Sequence, residues 1–227
     1  MRVRILGTRG NIPLSARHYA RHAGILVGGA VMLDFGEASY LRHEPGAIFV
    51  THLHPDHAAF SGMRMPSLPP IFVPERTRAL PDARLMTRPV TVGGYRVIPV
   101  PTRHSHKVRS LGYVVEQGRR RLFYSSDLLT IDRRYHSRLE CLDLVITDGS
   151  FMRRGGMVRR DPRTRKLFGH AGIPDLVDFF RRFTRRIVIT HFGSWFYHNI
   201  PASRRQIGAL GDGVRVVAAR DDMVINL

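Results

Sequence analysis

Six consecutive residues, His52-Leu53-His54-Pro55-Asp56-His57, put three imidazoles and one carboxylate into a single short stretch. Neutral imidazole and carboxylate are the donors that zinc, manganese and iron accept, so the stretch reads as a metal-ligating segment. It follows directly on the apolar run Ile48 to Thr51, whose pattern assigns it to a strand. Residues two apart in an extended segment project to the same side, so His52 and His54 can reach one cation. Asp56 and His57, beyond the proline, take a new direction and can address a second. Two ions about 3.5 to 4 Å apart can generate hydroxide and clamp an in-line displacement. The plain alternative, ordinary loop histidines in a chain that holds 12, leaves this clustering unexplained. The single cysteine, Cys141, excludes a Cys-rich zinc site and an internal disulfide.

The elements that must position these side chains are mostly strands. Short apolar runs bounded by Gly and Pro predict strands at Val3 to Leu6, Ile25 to Val27, Ala30 to Leu33 and Ile48 to Thr51. Val97 to Val100, Leu111 to Glu116 and Arg121 to Ser125 follow, the last two joined as a hairpin through Gln117 and Gly118. Leu144 to Thr147, Ile187 to Thr190, Val214 to Val217 and Met223 to Ile225 complete the set. The clearest helix is Pro174 to Phe183, with Pro174 in the first turn; Asp56 to Gly62, Pro74 to Leu80, Ile131 to Leu139 and Ala202 to Leu210 are weaker ones. Strands outnumber helices and the two alternate irregularly, which implies two sheets with helices packed outside. At 227 residues, with 43% hydrophobic and 24% charged residues and no repeat or linker, residues 1–227 read as one domain with a real core. No apolar run approaches the roughly 18 residues of a membrane span. The longest, Ala23 to Leu33, is broken by glycines and stops at Asp34. The amino-terminal apolar stretch is too short for a secretory signal, so a cytoplasmic location and no membrane partner are expected.

The six-residue segment resembles the His-x-His-x-Asp-His motif of the metallo-β-lactamase fold superfamily, and further features fall in that family's order. Asp34, ending Val31-Met32-Leu33, resembles the carboxylate that orients the metal loop from behind. His104, Asp127 and His191, each after an apolar run, resemble the next metal histidine, the bridging carboxylate and the last histidine. The resemblance implies an α/β fold, the four-layer αββα sandwich, with metals at one rim. It implies that His52, His54 and His104 hold one ion and Asp56, His57 and His191 the other, with Asp127 and a hydroxide between them. Zinc is the first expectation, with manganese or iron as alternatives. His106, two residues beyond His104, fits the spacing to Gly112-Tyr113 and is the alternative ligand; His104 is preferred because it directly follows the predicted strand.

Leu6-Gly7-Thr8-Arg9-Gly10, Gly112-Tyr113 and Ile189-Thr190-His191-Phe192 are similar to ribonuclease Z and the small cyclic phosphodiesterases related to it. That branch implies a phosphodiesterase in which metal-bound hydroxide attacks, aided by Asp56 and Asp127. His170, 21 residues before His191, would protonate the leaving oxygen; it could equally cap the helix at Pro174. The chain lacks an insertion long enough for the transfer-RNA arm of ribonuclease Z, so a small or cyclic phosphodiester is expected first. An RNA or single-stranded DNA nuclease comes second, and a lactone, thioester or lactam hydrolase third. From another class comes a non-catalytic polyanion-binding module.

Charge bears on the partner. Lys+Arg number 36 against 18 Asp+Glu, a formal net charge of +18, which attracts phosphate-containing small molecules or nucleic acid. All but Lys107 and Lys166 of these cations are arginine, a bias that genome composition alone can produce. From Arg153 to Lys166 seven cations face one acid, and Arg153, Arg154, Arg159 and Arg160 either bind substrate phosphate or sit on a solvated loop. Trp195, Phe196 and Tyr197 either wall the pocket or pack. Family members are often dimers, which makes a homodimer a further expectation.

Overall fold

The computed structural model describes residues 1–60 and 68–227. The first strands are β1 (Arg2–Gly7), β2 (Gly24–Val27), β3 (Val31–Leu33), β4 (Ala47–Phe49), β5 (Ile71–Val73) and β6 (Arg84–Leu85). The next are β7 (Val90–Val92), β8 (Tyr95–Thr102), β9 (Ser110–Gln117), β10 (Arg120–Ser125), β11 (Leu144–Gly149), β12 (Met157–Arg160) and β13 (Leu167–His170). Then come helix α1 (Ile173–Phe180), strand β14 (Arg186–Phe192), helices α2 (Ser194–His198) and α3 (Ile200–Gly208), and strands β15 (Arg215–Ala218) and β16 (Val224–Asn226).

Two seven-stranded sheets result, in orders β16-β1-β2-β3-β4-β5-β6 and β15-β14-β11-β10-β9-β8-β7; β12 and β13 form a separate hairpin. Each sheet is antiparallel on one side and parallel on the other: β3 to β6 run parallel, as do β10, β11, β14 and β15.

Side chains alternate across each strand, and here both faces are buried, so the strands are apolar throughout. In β4, Ala47 and Phe49 face the other sheet while Ile48 faces outward; in β10, Leu122 and Tyr124 face inward and Phe123 outward. The space between the sheets is filled by residues such as Val3, Ile25, Phe49, Val97, Tyr113 and Ile146. Phe49 stacks on Phe72 at 4.7 Å and meets the Tyr113 ring edge-on at 5.9 Å. Helices α1, α2 and α3 cover the second sheet through Leu176, Phe180, Phe196 and Ile207. Among the described residues the first sheet is covered by the 3-10 helix Ala38–His43 and by turns carrying Phe35 and Phe60. This is the metallo-β-lactamase sandwich expected from the motifs. No described helix is long and apolar enough to cross a membrane.

Two expected helices are absent. Residues 56–60 form tight turns because their backbone pairs across the chain: Phe35 N–H donates to His57 O, and Ala59 N–H to Phe35 O. Ser61 and Gly62 lie outside the described residues. Pro74 to Leu80 is loop and turn; Pro81 bars a helical conformation at Leu80, and the Thr77 hydroxyl takes the Ala79 N–H. Ile131 to Leu139 contains a 3-10 helix, Arg133–Leu139, and α1 stops at Phe180, whose carbonyl accepts from both Phe183 and Thr184.

The inter-sheet contact carries a polar bolt. Tyr124, on the second sheet, donates its hydroxyl to Asp34 Oδ2 at 2.8 Å, and Asp34 follows β3 of the first. Tyr113 likewise donates to Val50 O at 2.6 Å, and Gly112 beside it is held small because a Cβ there would lie 2.5 Å from the Phe123 ring. Phe49→Ala should lower stability by about 3–5 kcal/mol through the cavity it leaves. Tyr124→Phe should cost about 1.5–3 kcal/mol, the worth of a hydrogen bond to a charged group. Urea unfolding with constant slope reads both, and an unchanged midpoint in either would refute the packing described.

Candidate metal centre

Strands β3, β4, β8, β10, β11 and β14 point their carboxyl ends at one rim, and the polar residues that end them meet there. Asp34 follows β3, Thr51 and His52 follow β4, His104 follows β8, Asp127 follows β10, and Asp148 and His191 are the penultimate residues of β11 and β14. All are buried despite their polarity, so each must find a partner.

The side chains gather into two groups, His52, His54, His104 and Asp127 in one and Asp56, His57 and His191 in the other. In each, the ligand atoms lie within 4.8 Å of one another. Asp127 faces both: Oδ2 lies 3.2 Å from His104 Nε2 and 3.6 Å from His52 Nε2, and Oδ1 lies 3.1 Å from His191 Nε2 and 3.3 Å from His57 Nε2. Asp56 Oδ2 stands 3.0 Å from His191 Nε2 and 3.3 Å from His57 Nε2.

The outer hydrogen bonds set the tautomers. Asp34 accepts from Thr51 N–H at 2.7 Å, from the Thr51 hydroxyl at 3.0 Å and from His57 Nδ1–H at 2.8 Å. With the Thr51 proton spent on Asp34, its oxygen accepts from His52 Nδ1–H at 3.0 Å. His104 Nδ1–H donates to Gly169 O at 3.2 Å, and His191 Nδ1 meets Ser150 Oγ at 3.1 Å. Four imidazoles are thereby tied outward through Nδ1 and turn Nε2 inward, the arrangement metal-ligating histidines adopt.

Those inward atoms fit divalent cations. His57 Nε2 and His191 Nε2 lie 3.2 Å apart, His52 Nε2 and His54 Nδ1 3.0 Å apart, and each such pair of lone pairs needs a positive charge between them. Buried His104 Nε2 and Asp127 Oδ1 have no hydrogen-bond partner at all. Without an ion, the carboxylates meet the same need for positive charge by favouring protons on these rings. Burial opposes charge on His57 and His191, yet Asp127 and Asp56 outweigh it, holding His57 well above its usual range and raising His191 to about 10. Asp56 and Asp127 resist burial and are held well below the ordinary carboxylate range by the surrounding imidazoles. Burial lowers His104 to about 4, despite Asp127, so it is the neutral base a metal requires.

A cavity of about 420 Å³ opens on these groups, lined also by Asn11, Ile12, Phe151, Met157, His170 and Trp195. Gly10 forms its lip, with its N–H on Phe192 O; a Cβ there would approach His191 Cε1 to 3.2 Å. His170 Nδ1 bonds Asp148 Oδ2 at 2.7 Å, which leaves Nε2 for a ligand. Burial opposes its protonation, but Asp148 prevails and its pKa is raised. Asp148 also accepts from Leu128 N–H and Ser150 N–H.

The residues singled out from sequence divide as follows. His52, His54, Asp56, His57, His104, Asp127 and His191 converge, Asp34 stands behind them, and His170 lines the cavity. His106 does not join: it lies against Phe168 at 4.2 Å and faces a different cavity. The basic segment is the β12–β13 hairpin, and only Met157 and His170 of that hairpin line the catalytic cavity. Arg153 Nε donates to Gly156 O, Arg154 is drawn to Asp175 and Asp178 on α1, and Arg159 and Arg160 are exposed on β12. None of the four lines the cavity, the placement expected of a solvated loop rather than of a phosphate clamp. Trp195 lines it, with its indole N–H on Gly149 O, while Phe196 stacks on Phe192 in the core and Tyr197 donates to Tyr19 O. Sequence reasoning passed over Asp148 and Ser150, although Asp148 ends an apolar strand as Asp34 and Asp127 do.

Comparison with known proteins accords with this geometry. A family model described as the beta-lactamase superfamily domain matches residues 38–192. No curated protein sequence matches the chain. The metallo-beta-lactamase fold protein YhfI from Bacillus subtilis is similar in structure, with TM-score 0.72, 16% identity and 99% of each chain covered. A diphosphatase from the PhnP family matches with TM-score 0.69 and 16% identity over 100% of this chain and 97% of that one. The short form of human tRNase Z matches with TM-score 0.60 and 17% identity over 100% and 99%. The chain belongs to the beta-lactamase superfamily, and it carries on the metallo-β-lactamase fold the His/Asp metal-binding groups of a metal-dependent hydrolase.

Proposed function

We propose that the chain is a dinuclear metal-dependent phosphodiesterase acting on a small or cyclic phosphodiester. The observation that carries this reading is the divided carboxylate of Asp127, one oxygen toward each donor group. His52, His54 and His104 would hold one ion and Asp56, His57 and His191 the other, with Asp127 common to both. Ions bound there supply Lewis-acid stabilisation of phosphoryl charge and an activated water. Zinc suits this imidazole-rich set best, with manganese and iron as alternatives.

The chain's own residues supply the rest. Phe151, Ile12 and Trp195 take the apolar part of the substrate and exclude bulk water. His170, whose pKa Asp148 raises against the effect of burial, gives a proton from Nε2 to the departing oxygen. Asp148 positions that ring and stabilises its charge. A cavity of about 420 Å³ suits a small diester, and two structural neighbours, a diphosphatase and a tRNase Z, bear names of phosphorus chemistry. The net charge of +18 favours one second reading, a nuclease on RNA or single-stranded DNA that uses the same residues.

The full chain should retain two divalent ions by elemental analysis, and Asp127→Ala should lose them together with activity. A panel of bis-aryl phosphodiester, 2′,3′-cyclic nucleotide, precursor transfer RNA, lactone and thioester reads the substrate class. Turnover of the carbon esters alone would overturn the proposal, as would salt-dependent RNA binding with no turnover. His170→Asn should lower kcat by about 10²–10⁴-fold on a diester with an alkyl leaving group, and much less with p-nitrophenolate, which departs without a proton. Equal losses on the two would remove His170 from the acid role.

A further inference from the structure

A second cavity, of about 520 Å³, shares a wall with the catalytic one: His104 lines the first, and its neighbours Arg103 and Ser105 line the second. Among the described residues no arginine or lysine lines the catalytic cavity, whereas Lys107, Arg109 and Lys166 join Arg103 and His106 around the second. Lys107 and Lys166 are the chain's only lysines, far apart in sequence, and both meet here. Among the described residues neither they nor Arg109 has a carboxylate within ion-pair distance, while Arg103 pairs with Asp132 at 3.0 Å and His106 lies 4.0 Å from Asp161. The one acid of the lining, Glu75, accepts the Arg109 backbone N–H.

The segments that carry the two lysines are fastened to each other by structure. Asp161 closes the turn of the β12–β13 hairpin, accepting from Arg163 and Thr164 N–H and donating its own N–H to Lys166 O. Phe168 packs on His106, and Gly169 exchanges hydrogen bonds with His104, N–H to O at 2.6 Å. The hairpin is therefore fastened to the same segment that supplies a metal-binding imidazole. Cations that outnumber the carboxylates on one concave face repel one another, and an anion with several oxygens removes that repulsion. An ammonium on a flexible stem can follow such an anion where a planar guanidinium fork is bound to one geometry.

We infer that this groove is a phosphate-binding subsite that holds the phosphates flanking the scissile linkage of an oligonucleotide whose reacting unit lies in the catalytic cavity. The inference rests on the phosphodiesterase reading and extends its substrate class beyond a single small diester. A free phosphate anion is the other source of the same chemistry.

The only primary amines are Lys107, Lys166 and the amino terminus, so amine acylation followed by peptide mass analysis reads the groove directly, with Met1 as internal reference. In the metal-loaded full chain, a phosphorothioate single-stranded octanucleotide at about ten times its Kd should slow acylation of both lysines about tenfold and leave Met1 unchanged. In Lys107→Gln/Lys166→Gln the logarithmic salt slope of octanucleotide binding should fall by about 1.4, two phosphate contacts at about 0.7 each on a single strand. Arg119→Gln/Arg204→Gln should leave that slope as it was. Unprotected lysines with both octanucleotide and pyrophosphate would overturn the subsite. Protection by pyrophosphate and not by the octanucleotide would overturn its sharing of one substrate with the catalytic cavity. Neither readout needs turnover, so intact phosphodiester in the activity panel reports failure of the proposed reaction, and unprotected lysines report failure of the groove.

Discussion

The Asp34 carboxylate receives hydrogen bonds from the Thr51 amide and hydroxyl, from His57 and from Tyr124, in a place that water does not reach. An ionised carboxylate is tolerated in such surroundings only when its oxygens are this fully engaged. Its donors come from β10, from the loop after β4 and from the ring of a metal-binding histidine, so one acceptor aligns the two sheets and the inner cluster together. Through Thr51 it also orients His52. The neighbouring backbone reinforces this register, with Val50 O taking the Tyr113 hydroxyl and Thr51 O the Leu111 N–H. Stability and chemistry are thus coupled at one residue.

Charge is partitioned along the rim. The catalytic cavity holds carboxylates and imidazoles, and the adjoining groove holds ammonium and guanidinium groups. A cation fixed beside Asp56 or Asp127 would compete with a metal for the same oxygens, whereas one displaced to a neighbouring recess attracts an anion without that competition. Some arginines elsewhere are neutralised locally: Arg4 and Arg21 by Asp222, Arg121 by Glu116, Arg154 by Asp178. The large formal charge therefore says little about where a ligand lies until its compensated members are set aside.

The parts of the fold legible in the sequence are those whose periodicity survives burial. Runs such as Leu122 to Ser125 and Ile187 to Thr190 are continuous in apolar character because both faces are covered, and each ends in a polar residue at the rim. Strands β5, β6, β7, β12 and β13 are two to four residues long and leave no such trace. The short α2 and the 3-10 helix Ala38–His43 are set by tertiary packing of Phe196 and Tyr40 rather than by pattern. The donor residues were readable because their types and order are chemically restrictive. The surroundings of individual arginines were not, since arginine is ubiquitous here and only the fold reveals that Arg154 has α1 acids beside it. Between His104 and His106 spacing was neutral, and the difference lies in the Gly169 carbonyl that aims one ring and the Phe168 ring that claims the other.

Asp34 and His191 share a backbone peculiarity, φ of 61° and 56°, in the left-handed region that side chains with a Cβ enter at a cost of order 1–3 kcal/mol. Each position is thus under two independent demands, one on main-chain shape and one on side-chain chemistry, and few substitutes meet both. Glycine relaxes the first and forfeits the second; glutamate or glutamine keeps a polar tip but overshoots while retaining the torsional penalty. Exchange at these two sites is accordingly opposed by main-chain geometry as well as by chemistry, whatever reaction the cluster supports.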